Sequence, residues 1–162
     1  MSLSTTLNRG FRIALAFAGA LTLAACANTN QDQAAAGRAT PGSSQDFVVN
    51  VGDRVFFTVD ATDVTPEGRT TLDRQATWLR QYPRYTFTIE GHADERGTRE
   101  YNIALGARRA ASVRDYLISR GIEASRMRTI SYGKERPVAV CNDDSCWNQN
   151  RRAVTALNNA GS

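Results

Sequence analysis

An α/β sandwich, with helices packed on a mixed four-stranded sheet in the order βαβαββ, is the fold class this 162-residue sequence predicts. Three observations predict it. Two segments carry apolar residues at helical spacing, and each opens on a capping residue and stops at a helix breaker. Four short segments are rich in β-branched and aromatic residues, as strands are. The two kinds alternate until the last two strands, which follow one another.

The first strand is Arg54 to Asp60, apolar and β-branched. Thr65, Pro66 and Glu67 read as N-cap, first helical position and early acidic residue, and open a helix that ends near Tyr82 and Pro83. Leu72, Ala76 and Leu79 mark its apolar stripe. Tyr85 to Glu90 alternates as the second strand and breaks at Gly91. Thr98 caps a long second helix, which Gly121 stops. On that helix Ile103, Ala107, Ala110 and Leu117 form a stripe suited to the sheet, and Asn102, Leu105 and Arg109 form a separate one. Met127 to Tyr132 and Ala153 to Leu157 are the third and fourth strands.

The chain divides into four parts. Residues 1–25 read as an export signal, with Arg9 and Arg12 ahead of an apolar run from Ile13 to Ala25. That run is thirteen residues, too short for a helix to cross a hydrocarbon core of about 30 Å. Leu23, Ala24, Ala25 and Cys26 resemble a lipobox, which makes Cys26 the expected lipidation site and the membrane anchor. Ala27 in place of an aspartate favours sorting to the outer membrane. Residues 26–46 are the lipidated cysteine and a polar tether without apolar periodicity, reaching about 65 Å when stretched. The folded domain is expected over 47–158, and 159–162 is a tail. The net charge of +4 falls to +2 without residues 1–25. The remaining arginines alternate with acidic residues, so no basic stripe for nucleic acid is present. Cys141 and Cys146 read as a disulfide closing a small loop, with half a zinc site as the rival.

The densest chemistry runs from Gly91 to Asn102, across a strand end, a loop and a helix start. Free N–H groups and the positive dipole end at such a corner favour carboxylates. Asn102 and Arg109 share the stripe that faces the loop carrying Asp94. A carboxylate for an ammonium group and a forked guanidinium for a carboxylate together suit a zwitterionic amino-acid end. The plain alternatives are a structural Arg109–Asp94 salt bridge and a Leu105 that belongs only to the core. His92 is the only histidine, so a local hydrogen-bonding role is expected, with no metal and no cofactor. Asp60 and Asp94 resemble a glycosidase pair, but an arginine beside them would keep both ionised, whereas a general acid needs a raised pKa. No catalysis is expected. Arg151 and Arg152 read as structural or partner-facing, and Trp78 and Trp147 as core or half-buried.

The segments Val55 to Phe57, Gly91 to Thr98, Tyr101 to Gly106, Arg108 to Ala110, Ser131 to Pro137 and Asn150 to Ala153 resemble the OmpA-like peptidoglycan-binding domain family, and within it the lipoprotein branch. The resemblance implies binding of the meso-diaminopimelate of the peptidoglycan stem peptide. Asp94 and Arg109 match the principal contacts; Asp60, Asn102 and Leu105 match supporting ones, and Glu95, Arg96 and Thr98 do so more loosely. Arg109 is assigned to a carboxylate, Asp94 to the amino group, and Asp60 to the opposite side of the pocket. The resemblance also implies an outer-membrane lipoprotein facing the periplasm, with TolB and other Tol proteins as partners in a Tol–Pal system serving envelope integrity and cell division. This chain departs from the family pattern at Val59, where an aromatic wall is common, at Arg99, where proline is common, and in the Cys141/Cys146 region. A cell-wall hydrolase and a surface-exposed adhesin are the readings from other classes.

Overall fold

A computed structural model describes residues 39–158; the expected export signal, Cys26, most of the tether and the tail 159–162 lie outside the described residues. The order is β1 (Arg54–Phe56), α1 (Pro66–Gln81), β2 (Phe87–His92), α2 (Arg99–Ser119), β3 (Met127–Gly133), α3 (Asp144–Asn150) and β4 (Arg152–Leu157). The sheet is mixed, in the order β1-β4-β2-β3. β2 and β3 run parallel, and β4 is antiparallel to both β1 and β2. The parallel pair needs a crossover, which α2 supplies. The expected βαβαββ order holds, with α3 added in the last connection.

Local chemistry sets the helix limits. The Thr65 hydroxyl accepts from the Gly68 N–H and starts α1, whose C-cap is Tyr82, just before Pro83. The Thr98 hydroxyl accepts from the Tyr101 N–H and starts α2, and Gly121 lies just beyond its end at φ +84°. Inward residues of both helices meet alternate residues of the sheet. Phe47, Leu72, Leu79, Phe87, Ile89, Val113 and Leu117 form the heart of this core, each at most 1% exposed. Full burial of such a side chain contributes about 1.5–3 kcal/mol.

Several expectations need correction. β1 stops at Phe56 rather than Asp60, because the carbonyls of Thr58 and Ala61 turn away to the Arg109 guanidinium. β2 starts at Phe87 and does not break at Gly91, which still pairs with Ser131 and Ala153. A Cβ there would stand 1.8 Å from the Gly106 carbonyl oxygen of α2, so this glycine permits close approach of helix to strand. The two stripes of α2 are one: Asn102, Leu105, Gly106, Arg109, Ala110, Val113 and Leu117 are all buried, while Ala107 is exposed.

The ordered fold also begins before residue 47. Ser43 caps a helical segment, Ser44–Asp46, that continues in wider turns over Phe47–Gly52. The Asp46 carboxylate accepts from the Trp78 indole at 2.8 Å, and the Gly42 carbonyl accepts from the Tyr85 hydroxyl at 2.8 Å. Phe47 packs against Trp78 with ring centroids 4.9 Å apart and the rings tilted by 58°. Phe47 stands where a polar stretch gives way to the short apolar run Phe47, Val48, Val49 and Val51, and it closes the core beside α1.

Candidate functional site

Residues from three elements surround a cavity of about 250 Å³: Val59 and Asp60 after β1, Asp94, Arg96 and Gly97 after β2, and Tyr101, Asn102, Leu105 and Arg109 on α2. Two larger grooves, each about 510 Å³, lie against α1 and are lined by no buried charged side chain. Among the described residues, buried charges converge at the smaller cavity.

Arg109 forms its floor and is fully buried. Its Nε donates to the Ala61 carbonyl at 2.9 Å, Nη1 to His92 at 2.8 Å and Nη2 to Thr58 at 3.1 Å. A guanidinium has five N–H donors, so one remains on each Nη. Among the described residues no carboxylate forms an ion pair with it. Burial pushes it down to about 10, which leaves it charged at neutral pH. The structural Arg109–Asp94 bridge is therefore not formed.

Asp94 is also buried, and its carboxylate is saturated. Oδ1 accepts from the Arg96 backbone N–H and Nε, each at 3.2 Å, and Oδ2 accepts from Arg96 Nη2 at 2.7 Å and Arg151 Nη1 at 3.0 Å. Burial alone would raise this carboxyl, but the Arg96 and Arg151 hydrogen bonds outweigh it and hold it below its ordinary 3.8. Sequence reasoning placed Arg151 among structural or partner-facing residues and did not tie it to Asp94. Its partner lies 57 positions away, and no local pattern signals such a pair.

Asp60 sits at the rim with φ +52°. Aspartate tolerates this left-handed conformation better than most residues, and strained positions of this kind concentrate at functional sites. Its carboxylate accepts from the Tyr101 hydroxyl at 3.3 Å. Asn102 Nδ2 donates to the Arg96 carbonyl at 2.7 Å and braces the loop, and Leu105 supplies an apolar wall.

Two expected residues do not face the cavity. Glu95 turns to the Trp147 indole N–H, and the Thr98 side chain caps α2. Arg99 pairs with Glu135 at 3.1 Å, so its charge is not added to the cavity. His92 keeps only its backbone in the site. Its buried ring lies against Tyr132 with centroids 5.5 Å apart, and among the described residues neither ring nitrogen has a hydrogen-bond partner, contrary to expectation. Burial, reinforced by Arg152 and Arg136, lowers the ring to about 4. Cys141 and Cys146 are disulfide-bonded, with Cα atoms 5.6 Å apart.

The OmpA family matches residues 56–152 of the chain. A peptidoglycan-associated lipoprotein of Rhizobium meliloti is 64% identical over 157 residues, covering 93% of this chain and 89% of that protein. The protein of the same name from Haemophilus influenzae is 39% identical over 152 residues, covering 93% and 99%. The crystal structure of the peptidoglycan-associated lipoprotein from Burkholderia pseudomallei is 40% identical, covers 65% of this chain and 89% of that one, and superposes with a TM-score of 0.63. The C-terminal domain of Helicobacter pylori MotB is 21% identical with a TM-score of 0.60, a likeness of fold alone.

Proposed function

The chain belongs to the OmpA family, and from that membership we propose that its cavity binds the diaminopimelate of peptidoglycan, tethering the outer membrane to the cell wall without covalent linkage. One observation carries the reading: Arg109 is a buried, charged guanidinium at the floor of a cavity, bonded to three carbonyls and to no carboxylate among the described residues. A ligand carboxylate completes such a site, since charge-assisted bonds of the fork type are the strong ones. The relatives' name, peptidoglycan-associated lipoprotein, supports peptidoglycan as the polymer.

The arrangement alters the roles expected from sequence. All four acceptor positions of Asp94 are taken, so an ammonium group reaches that carboxylate only where Arg96 yields. Among the described residues Asp60 has a single weak partner, and it is the readier carboxylate for the ammonium. Arg109 is 0% exposed. A ligand carboxylate therefore reaches it as the rim parts, and the exposed Tyr101–Asp60 hydrogen bond is the contact that gives way. Asn102 and Leu105 shape the wall, and Asp94, bound to Arg96 and Arg151, acts as its charged brace. With its carboxyl held low, Asp94 is ionised at neutral pH and unsuited to act as a general acid.

In the same reading Cys26 carries the lipid anchor, the domain faces the periplasm, and TolB and other Tol proteins are partners within a Tol–Pal system serving envelope integrity and cell division. The test is co-sedimentation of the full chain, in detergent, with insoluble peptidoglycan. Wild type should pellet with diaminopimelate-containing wall and much less with a lysine-containing one. Asp60→Asn and Arg109→Lys should both weaken pelleting. Equal pelleting with both walls, or by all three proteins, would remove the proposal.

A further inference from the structure

α3 is seven residues long, too short to hold its shape without tertiary support. The Cys141–Cys146 disulfide ties its first turn to the preceding loop. The next residue is Trp147, which does not line the cavity. Its indole N–H donates to the Glu95 carboxylate, and its ring lies under the Arg96 guanidinium, 4.1 Å from ring centroid to Cζ. Arg96 reaches from that platform to both oxygens of Asp94. Just past α3, Arg151 grips Asp94 from the other side and Asn148 with its second Nη.

We propose that Trp147, clamped by the Cys141–Cys146 disulfide, is a positioning residue for the cavity: it fixes Arg96, and through Arg96 the Asp94 carboxylate, in the arrangement that receives the ligand's carboxylate. The inference rests on the diaminopimelate reading above. An exposed arginine has many rotamers, and ordering them on binding weakens affinity. An aromatic face under the guanidinium does that ordering beforehand. The same indole draws Glu95 out of the cavity, so that its negative charge does not meet the incoming carboxylate.

Binding of the full chain in detergent to diaminopimelate-containing peptidoglycan separates the possibilities. Trp147→Leu should lower apparent affinity roughly tenfold, and Trp147→Phe, which keeps an aromatic face, should restore most of it. Cys141→Ser/Cys146→Ser should fall between wild type and Trp147→Leu. The acid limit of binding should also move to higher pH in Trp147→Leu, because a loosened Arg96 no longer holds Asp94 low. A purely structural role would lower the melting temperature and shift neither that limit nor the order of the Leu and Phe variants. Trp147 variants that bind as wild type, while Asp60→Asn still loses binding, overturn this inference alone. So does a loss of binding that tracks unfolding at the assay temperature. A wild type that does not pellet, or an Asp60→Asn and Arg109→Lys pair that pellet normally, overturns the diaminopimelate reading with it.

Discussion

Arg109 holds the fold and the candidate site at once, and its variants should separate the two. Arg109→Ala strands three carbonyls, those of Thr58, Ala61 and His92, so it should lower stability as well as binding. Arg109→Lys keeps the charge but lacks the fork. It should weaken wall binding by about 2–5 kcal/mol with a smaller change in melting temperature, which paired binding assays and thermal melts would resolve. His92 gives a second residue-level expectation. Its ring titrates near 6.5 when unfolded and at about 4 when folded. Between those values the unfolded chain binds a proton that the folded chain does not, so stability falls as pH drops from 6.5 towards 4 and then levels off. The total is about 3 kcal/mol, since each tenfold loss of proton affinity on folding corresponds to roughly 1.4 kcal/mol. Glu90, whose carboxylate lies 3.7 Å from Nε2, opposes the effect, while Arg136 and Arg152 enhance it. Urea unfolding of His92→Phe across that range should lack this limb; an unchanged limb would assign it to another group. The Asp94 contribution is present above 3.8 and is lost only at lower pH.

Among the elements, the contact of α2 with β2 is the least forgiving. A Cβ on Gly91 would stand 1.8 Å from one backbone oxygen of α2, and a Cβ on Gly106 would stand 2.8 Å from the Gly91 carbonyl oxygen. Backbone cannot yield as a side chain can, so Gly91→Ala must push the helix off the sheet. It should cost about 3 kcal/mol or more, a fall of roughly 12 °C in melting temperature. Loss of a cap is milder: Thr98→Ala removes one side-chain bond to the start of α2 and should cost about 1 kcal/mol. The ranking of these two variants by calorimetry checks the packing argument. A Gly91→Ala protein no less stable than Thr98→Ala would contradict it.

For the whole molecule, the proposed function requires attachment at two ends. A single cavity of this size gives a modest affinity, and many copies on one polymer gain by effective concentration. The anchor half of that arrangement predicts that Cys26→Ser releases the protein from the membrane fraction while peptidoglycan binding by the soluble form persists. Membrane partition unchanged by Cys26→Ser would disprove the lipid anchor. The described residues contain no helix long and apolar enough to cross a membrane. The ordered segment from Gly42 to Phe47 shortens the free tether expected to run to residue 46, since Asp46 and Phe47 are already fastened to Trp78.

What the sequence by itself determined was everything that short-range rules govern. Thr65 with Pro66, and Thr98 with Gly121, mark helix ends because caps and breakers act within one turn. Alternation marks β2 because a strand's period is two. The loop from Gly91 to Thr98 was legible as a site through its concentration of charge and its resemblance to a family. Tertiary structure decided which charges meet. Arg109 commits three of its five N–H groups to carbonyls 17 to 51 positions away, Asp94 takes Arg151 from 57 away, and Glu95 turns to Trp147 from 52 away. Those carbonyls end β1 early, and the approach of α2 turns Gly91 from an expected break into a contact. Pairing at such separations depends on how helices and strands pack, and burial then sets the strength of each charge. Neither quantity is encoded in neighbouring residues.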